Sequence, residues 1–351
     1  MNRLRPRCVA LLAGLAATLA GPAPAGAATL GLMSLPQPGG AGPVTVFYAT
    51  EAAPQTLRRG PFTLLAAPDA QPAAGNGRLV VMSHGSGGGP WVHTDLARQL
   101  VDAGFVVAMP VHAGDHAGDD GAPGPDSWDR RPAEVSAAID RVASEPLLAA
   151  RLDLSRVGLV GQSAGGHTGL VLAGGRWSPA RFAEHCLAHL ELDFNACVGL
   201  FTSLNGGWLD GPKRWLARAV ISARFAGDRS ERQYQDARIA AVVAGVPAAA
   251  HFDAASLARP RVPLALITAA QDVWLHPQFH SDRILAACTP CERLAERPDA
   301  GHNLMLSPLP PELDGLVGRL LADPPGYDRP AATRELNQRI SGFLLRALQP
   351  R

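Results

Sequence analysis

The sequence predicts an α/β domain: a mainly parallel central sheet, helices on both faces and one inserted helical cap. Three observations carry this. Short continuous apolar runs recur, among them Leu79–Ser83 (LVVMS), Phe105–Met109 (FVVAM) and Val157–Val160 (VGLV), the mark of strands buried on both faces. Helix-like segments alternate with them, which demands crossovers and a parallel sheet. The rhythm breaks once, between about residues 176 and 235, and that break reads as the cap.

The elements follow in order. Val44–Thr50 (VTVFYAT) is rich in β-branched and aromatic residues and reads as a strand, with Phe62–Ala66 as its neighbour. Residues 68–77 form a turn region rich in Pro, Ala and Gly. After LVVMS, Trp91–Ala103 reads as a helix with Asp95 and Arg98 on its polar face. FVVAM follows, then a helix over Pro132–Ser144 with Pro132 in its first turn. VGLV leads into a helix over Ser163–Ala173. Beyond the cap, Ile239–Val243, Leu264–Thr268 and Arg293–Glu296 are strand candidates, and Pro277–Ala287 and Ala331–Leu348 are helices. The cap segment holds Trp177, Trp208 and Trp215, which points to an apolar pocket wall.

Bulk numbers narrow the function. The chain has 351 residues, 47% hydrophobic and 18% charged, enough apolar material for a large core and too little charge for disorder. With a net charge of +1, nothing suggests nucleic acid or an acidic polymer as a partner. Aromatics at 5% argue against stacking platforms.

The first residues differ from the rest. Arg3, Arg5 and Arg7 precede an uncharged apolar run from Cys8 to Ala20, then a small-residue stretch with Ala25-x-Ala27. This reads as a secretory signal peptide over residues 1–27, with 28–351 as a single exported domain, periplasmic or secreted. The apolar run is shorter than the ~20 residues a bilayer needs, so no stable membrane insertion is expected after cleavage. Export changes the reading of the cysteines. Cys186, Cys197, Cys288 and Cys291 remain after the signal, and an even count suggests two disulfides. Local pairing, Cys186 with Cys197 and Cys288 with Cys291, is the simplest of the three connectivities.

Chemistry centres on Gly161-Gln162-Ser163-Ala164-Gly165, a G-x-S-x-G between a strand and a helix. Glycines on either side let strand and helix pack closely, and the turn lifts the serine hydroxyl to a helix N-terminus, where negative charge is favoured. Serine needs a base. Of eleven histidines, His302 stands in a loop after the last strand candidate, where an imidazole can reach the serine. Asp272 follows Leu264–Thr268 and is the candidate acid; Asp253, after the preceding strand, is its rival. Two N–H donors are needed for an oxyanion: Ala164, next to the nucleophile, and Ser86 in the loop His84–Gly89 (HGSGGG). That loop lacks the Lys-Ser/Thr of a phosphate-binding loop.

A second cluster, His112, Asp115, His116, Asp119 and Asp120, has metal-like spacing. The plainer reading is a polar loop whose carboxylates pair with Arg130 or Arg131, since a Ser–His–Asp set needs no metal. No metal or cofactor is expected.

The run LVVMSHGSGG (Leu79–Gly88), the VHAGDH segment, Arg131-Pro132, VGLVGQSAGG and the Asp272 and Gly301-His302 segments together resemble the dienelactone-hydrolase-like branch of the α/β-hydrolases, which includes bacterial relatives of plasma platelet-activating-factor acetylhydrolase. The resemblance covers nearly all of the chain after the signal. It implies an α/β-hydrolase fold and a serine esterase using Ser163, Asp272 and His302, with Ser86 and Ala164 at the oxyanion hole. Dienelactone hydrolases use a cysteine nucleophile, so dienelactone itself is not the expected substrate. In the acetylhydrolase relatives the acid follows an earlier strand, which keeps Asp253 open. Small-molecule esters come first as substrates, polyesters or phospholipid acyl groups next. An exported serine peptidase on the same fold, or an inactive ligand-binding homologue, is the alternative.

Overall fold

A computed structural model describes residues 28–37, 42–310 and 314–349. The expected signal peptide lies outside these residues. In chain order the elements are β1 (Thr29–Leu35), β2 (Val44–Thr50), β3 (Gln55–Arg59), β4 (Phe62–Pro68), β5 (Leu79–Ser83), α1 (Thr94–Asp102), β6 (Val106–Pro110), α2 (Pro125–Ala143), α3 (Pro146–Ala149), β7 (Val157–Gln162), α4 (Ala164–Leu172) and β8 (Arg176–Trp177). Then come α5 (Pro179–His189), α6 (Phe194–Val198), α7 (Asp210–Phe225), β9 (Ile239–Gly245), β10 (Phe252–Asp253), β11 (Leu264–Ala269), α8 (Ser281–Ala287), β12 (Glu292–Arg297), α9 (Gly315–Leu321) and α10 (Arg329–Ala347).

Among the described residues ten strands form one sheet in the order β12-β11-β9-β7-β5-β6-β2-β1-β4-β3. From β12 to β6 all pairings are parallel. The continuous apolar runs sit here because both faces are covered, and every residue of β5, β7 and β11 is buried. Alternate residues feed two cores. Leu79, Val81, Leu159 and Leu266 pack on one face with side chains of α2, α4 and α8. Val80, Met82, Val160 and Ile267 pack on the other with side chains of α1 and α10.

Several local expectations are corrected. β1 (TLGLMSL) carries no sequence signal strong enough to announce it, yet it pairs with β2 along all of its length. It therefore separates β2 from β4, and the Phe62 strand neighbours β1 and β3 instead. The second crossover helix begins at Pro125 rather than Pro132; Pro125 takes the first-turn position, and Pro132 lies inside the helix, where it removes one backbone hydrogen bond. The helix expected from Trp91 opens with a 3-10 turn over Pro90–His93, and the one expected from Pro277 starts only at Ser281.

The segment that breaks the alternation holds α5, α6 and α7 outside the main sheet. Among the described residues two disulfides form, both local: Cys186–Cys197 ties α5 to α6 with Cα atoms 5.6 Å apart, and Cys288–Cys291 closes the turn between α8 and β12. A bridge of the first kind contributes about 2–3 kcal/mol by restricting the unfolded chain. The tryptophans of this segment do not wall a closed pocket. Trp177 is buried against Trp128, whereas Trp208 and Trp215 are 86% and 71% exposed. Among the described residues no helix is long and apolar enough to cross a membrane.

Candidate active site

Strands β5, β7, β9, β11 and β12 end side by side at the carboxyl edge of the sheet, and the loops leaving them build the site. The turn after β7 is strained. Ser163 has φ +56°, a left-handed conformation that costs a non-glycine residue energy, and the fold holds it there. Its N–H donates to Gly245 O at 3.0 Å, and its carbonyl accepts from Ala248 N at 3.1 Å and His167 N at 3.0 Å. The flanking glycines are required for space. A Cβ on Gly165 would collide with the Ser83 carbonyl, and one on Gly161 with the Gly165 carbonyl.

The loop after β12 brings His302 Nε2 to 2.9 Å from Ser163 Oγ. The loop after β11 brings Asp272 Oδ2 to 2.8 Å from His302 Nδ1. The other carboxylate oxygen, Oδ1, accepts from Trp274 N at 2.8 Å and Leu275 N at 2.9 Å, which fixes the side chain. Asp272 is buried, so its charge is shielded from water and directed at the imidazole. Asp253, the rival acid, is elsewhere: it pairs with Arg176 at 2.9 Å and accepts from Ala255 N. Gln162 holds the histidine loop, its Nε2 donating to His302 O at 2.9 Å. Nothing in the pentapeptide pattern singles out this residue, since it occupies one of the unspecified positions.

The loop after β5 passes directly over the serine. A Cβ on Gly85 would lie 3.4 Å from Ser163 Cβ and 3.9 Å from Oγ. Ala164 is the first residue of α4, so its N–H has no intrahelical acceptor. Among the described residues neither Ser86 N nor Ala164 N donates within the turn and loop hydrogen bonds. The arrangement brings together a hydroxyl, a base and a buried carboxylate, with two undonated amides in the loops beside the serine, a set of components suited to acyl transfer.

The second cluster does not gather round one point. His112 Nδ1 meets Glu134 at 2.5 Å and Nε2 meets Ser83 Oγ at 2.7 Å. Asp115 pairs with Arg131 at 2.8 Å, both fully buried, and Asp119 accepts from Gly114 N and Gly121 N. Burial pushes the Asp115 carboxyl up, but Arg131 and hydrogen bonds from Ser127 and Ser86 outweigh it and hold it low. Burial, helped by Arg131, drives His112 down, so it is neutral.

One set with metal-like geometry escaped sequence reasoning: His185, Asp193 and His280, with ligand atoms within 4.8 Å of one another. Its hydrogen bonds argue for a brace. His280 Nδ1 accepts from Ala249 N at 2.9 Å and Ala250 N at 3.2 Å, so the proton is on Nε2, which donates to Asp193 at 2.9 Å. A protonated nitrogen offers no lone pair to a metal. His185 also meets Asp193, at 2.8 Å, and Asp193 accepts from His276 N at 3.2 Å. Burial pushes the Asp193 carboxyl up, yet the hydrogen bonds from His185 and His280 outweigh it and hold it far below the ordinary range. Asn195 donates to Val273 O at 3.0 Å. The inserted segment thus grips the loop that carries Asp272. The participants lie far apart in sequence, so no local motif reveals them.

A model of the alpha/beta hydrolase family matches residues 80–312. No curated protein matches the chain. Among solved structures, a ferulic acid esterase from Streptomyces cinnamoneus superposes with a TM-score of 0.57 at 17% identity, over 94% of this chain and 93% of its own, a likeness of fold.

Proposed function

The chain belongs to the alpha/beta hydrolase family, and on that premise we propose that it is an exported serine esterase acting through an acyl-enzyme on Ser163. The observation that carries this reading is the unbroken hydrogen-bonded line from Ser163 through His302 to Asp272, at 2.9 and 2.8 Å. His302 takes the Ser163 proton as the oxygen attacks the ester carbonyl. The N–H groups of Ser86 and Ala164 hold the tetrahedral oxyanion. His302 then protonates the leaving alcohol, and water repeats the sequence on the acyl-enzyme. The esterase among its structural neighbours is in keeping with ester substrates. Within the family we assign the chain to the dienelactone-hydrolase-like branch, with serine at the elbow. Small-molecule esters are the first substrate class, polyesters or lipid acyl groups the next. Export rests on the basic and apolar N-terminal sequence, and two disulfides fit an oxidising compartment.

Purified protein is expected to hydrolyse p-nitrophenyl acetate and to leave aminoacyl p-nitroanilides intact. Release of nitroaniline without turnover of the ester would make it a peptidase and overturn the reading.

A further inference from the structure

We infer that the buried Asp115–Arg131 pair positions the oxyanion loop, tying residues on both sides of Gly85 to α2; the inference rests on the esterase reading above. The loop His84–Gly89 has glycine at 85, 87, 88 and 89. Such a chain has many conformations, and fixing it costs entropy that something must offset. The structure supplies the fixing groups. Asp115 accepts from Ser86 Oγ, from Gly87 N at 3.2 Å, from Ser127 Oγ at 2.6 Å and from Arg131 Nη2 at 2.8 Å. Arg131 Nη1 donates to the His84 carbonyl. Residues 84, 86 and 87 are therefore tied through two side chains to one helix. One turn further along α2, Glu134 grips His112, and His112 accepts the hydroxyl of Ser83 at the end of β5.

Burial decides what the pair is for. Both side chains are 0% exposed. A fully buried ion pair is weak support for stability, because desolvation of two charges consumes most of their attraction. What it supplies is direction. The carboxylate takes up the Ser86 hydroxyl and the Gly87 N–H, while the Ser86 N–H donates to no acceptor among the described residues and Gly85, the residue before it, lies against Ser163. Arg131 balances a negative charge that would otherwise oppose an oxyanion nearby. Asp115 and Arg131 touch no substrate; they act through the loop.

The test uses full-length Asp115→Asn, with Ser86→Ala as a milder second variant that keeps the Ser86 N–H and loses only its tether. Active-site titration first fixes the fraction of folded enzyme. Both variants are expected to lower kcat, Asp115→Asn by about 10²-fold, the low end of the range for a lost oxyanion donor, and Ser86→Ala by less, about 10-fold, because the N–H itself remains. KM should stay within about twofold. Affinity for a boronic acid, which forms a tetrahedral adduct on the serine, should fall by the same factor as kcat/KM. Amide hydrogen exchange across residues 84–89 should rise in both variants. Unchanged kcat and boronate affinity in titrated enzyme would overturn the inference, as would a loss confined to KM. Unchanged exchange of the loop would overturn it even if the wild type proved unable to turn over esters, an outcome that would count separately against the esterase reading.

Discussion

Asp272→Asn is expected to lower kcat by about 10⁴-fold on a p-nitrophenyl ester, the loss known when the equivalent acid of a serine protease becomes an amide. The reason is the proton inventory of His302. Asp272 Oδ2 accepts the Nδ1–H, which keeps Nε2 free to take the serine proton. An amide nitrogen in that place donates instead, forces the opposite tautomer and points an N–H at Ser163. Packing should survive, because Trp274 N and Leu275 N still find an acceptor in the amide oxygen. Asp253→Asn serves as the control. Its partner is Arg176, well away from the imidazole contact, so its kcat should stay within about twofold of wild type. If the two variants exchanged these behaviours, Asp272 would not be the acid.

The second large effect is on stability in mild acid. His84, His93, His112, His167 and His251 are buried, and burial, the leading cause for each, drives every one of these imidazoles below its ordinary pKa of 6.5, His93 to about 4. The folded state therefore holds them neutral, while the unfolded chain takes up protons near pH 6.5. Stability is fully present above that pH and falls as pH drops below it, with the His93 contribution levelling only near 4. Between pH 7 and 5.5 each histidine costs about 1.2 kcal/mol, about 6 kcal/mol for the five, a large share of a typical folding free energy. Urea titrations at pH 7.5, 6.5 and 5.5 check this through the unfolding midpoint. His167→Phe should flatten the dependence by about one proton, since His167 stacks on Trp128 and both ring nitrogens lack a partner among the described residues. A midpoint that does not move between pH 7.5 and 5.5 would contradict the account.

How much of this was legible beforehand depends on the range of the interaction. Buried parallel strands announce themselves, since LVVMS and VGLV have no polar face to interrupt them, and both are strands in the structure. β1 does not announce itself, because its placement is decided by pairing with β2 rather than by its own pattern. Ser163, Asp272 and His302 each carry a local marker, a glycine-framed turn or a position just after a strand, and the structure places them within hydrogen-bonding reach of one another. Gln162, Asp193 and Arg131 act across 140, 87 and 47 residues of chain, through partners that only the fold brings near. The tryptophans mislead for a related reason: composition tells that Trp208 and Trp215 are apolar, and only packing tells that they stand in solvent.

The central claim is that Ser163 becomes covalently acylated. Treatment of the full chain with a fluorophosphonate, followed by mass spectrometry of its peptides, tests this most directly. One adduct is expected, on the peptide containing Ser163, with loss of ester turnover in proportion to labelling and no adduct on Ser163→Ala. An adduct on another residue, or ester turnover that survives Ser163→Ala undiminished, would contradict it.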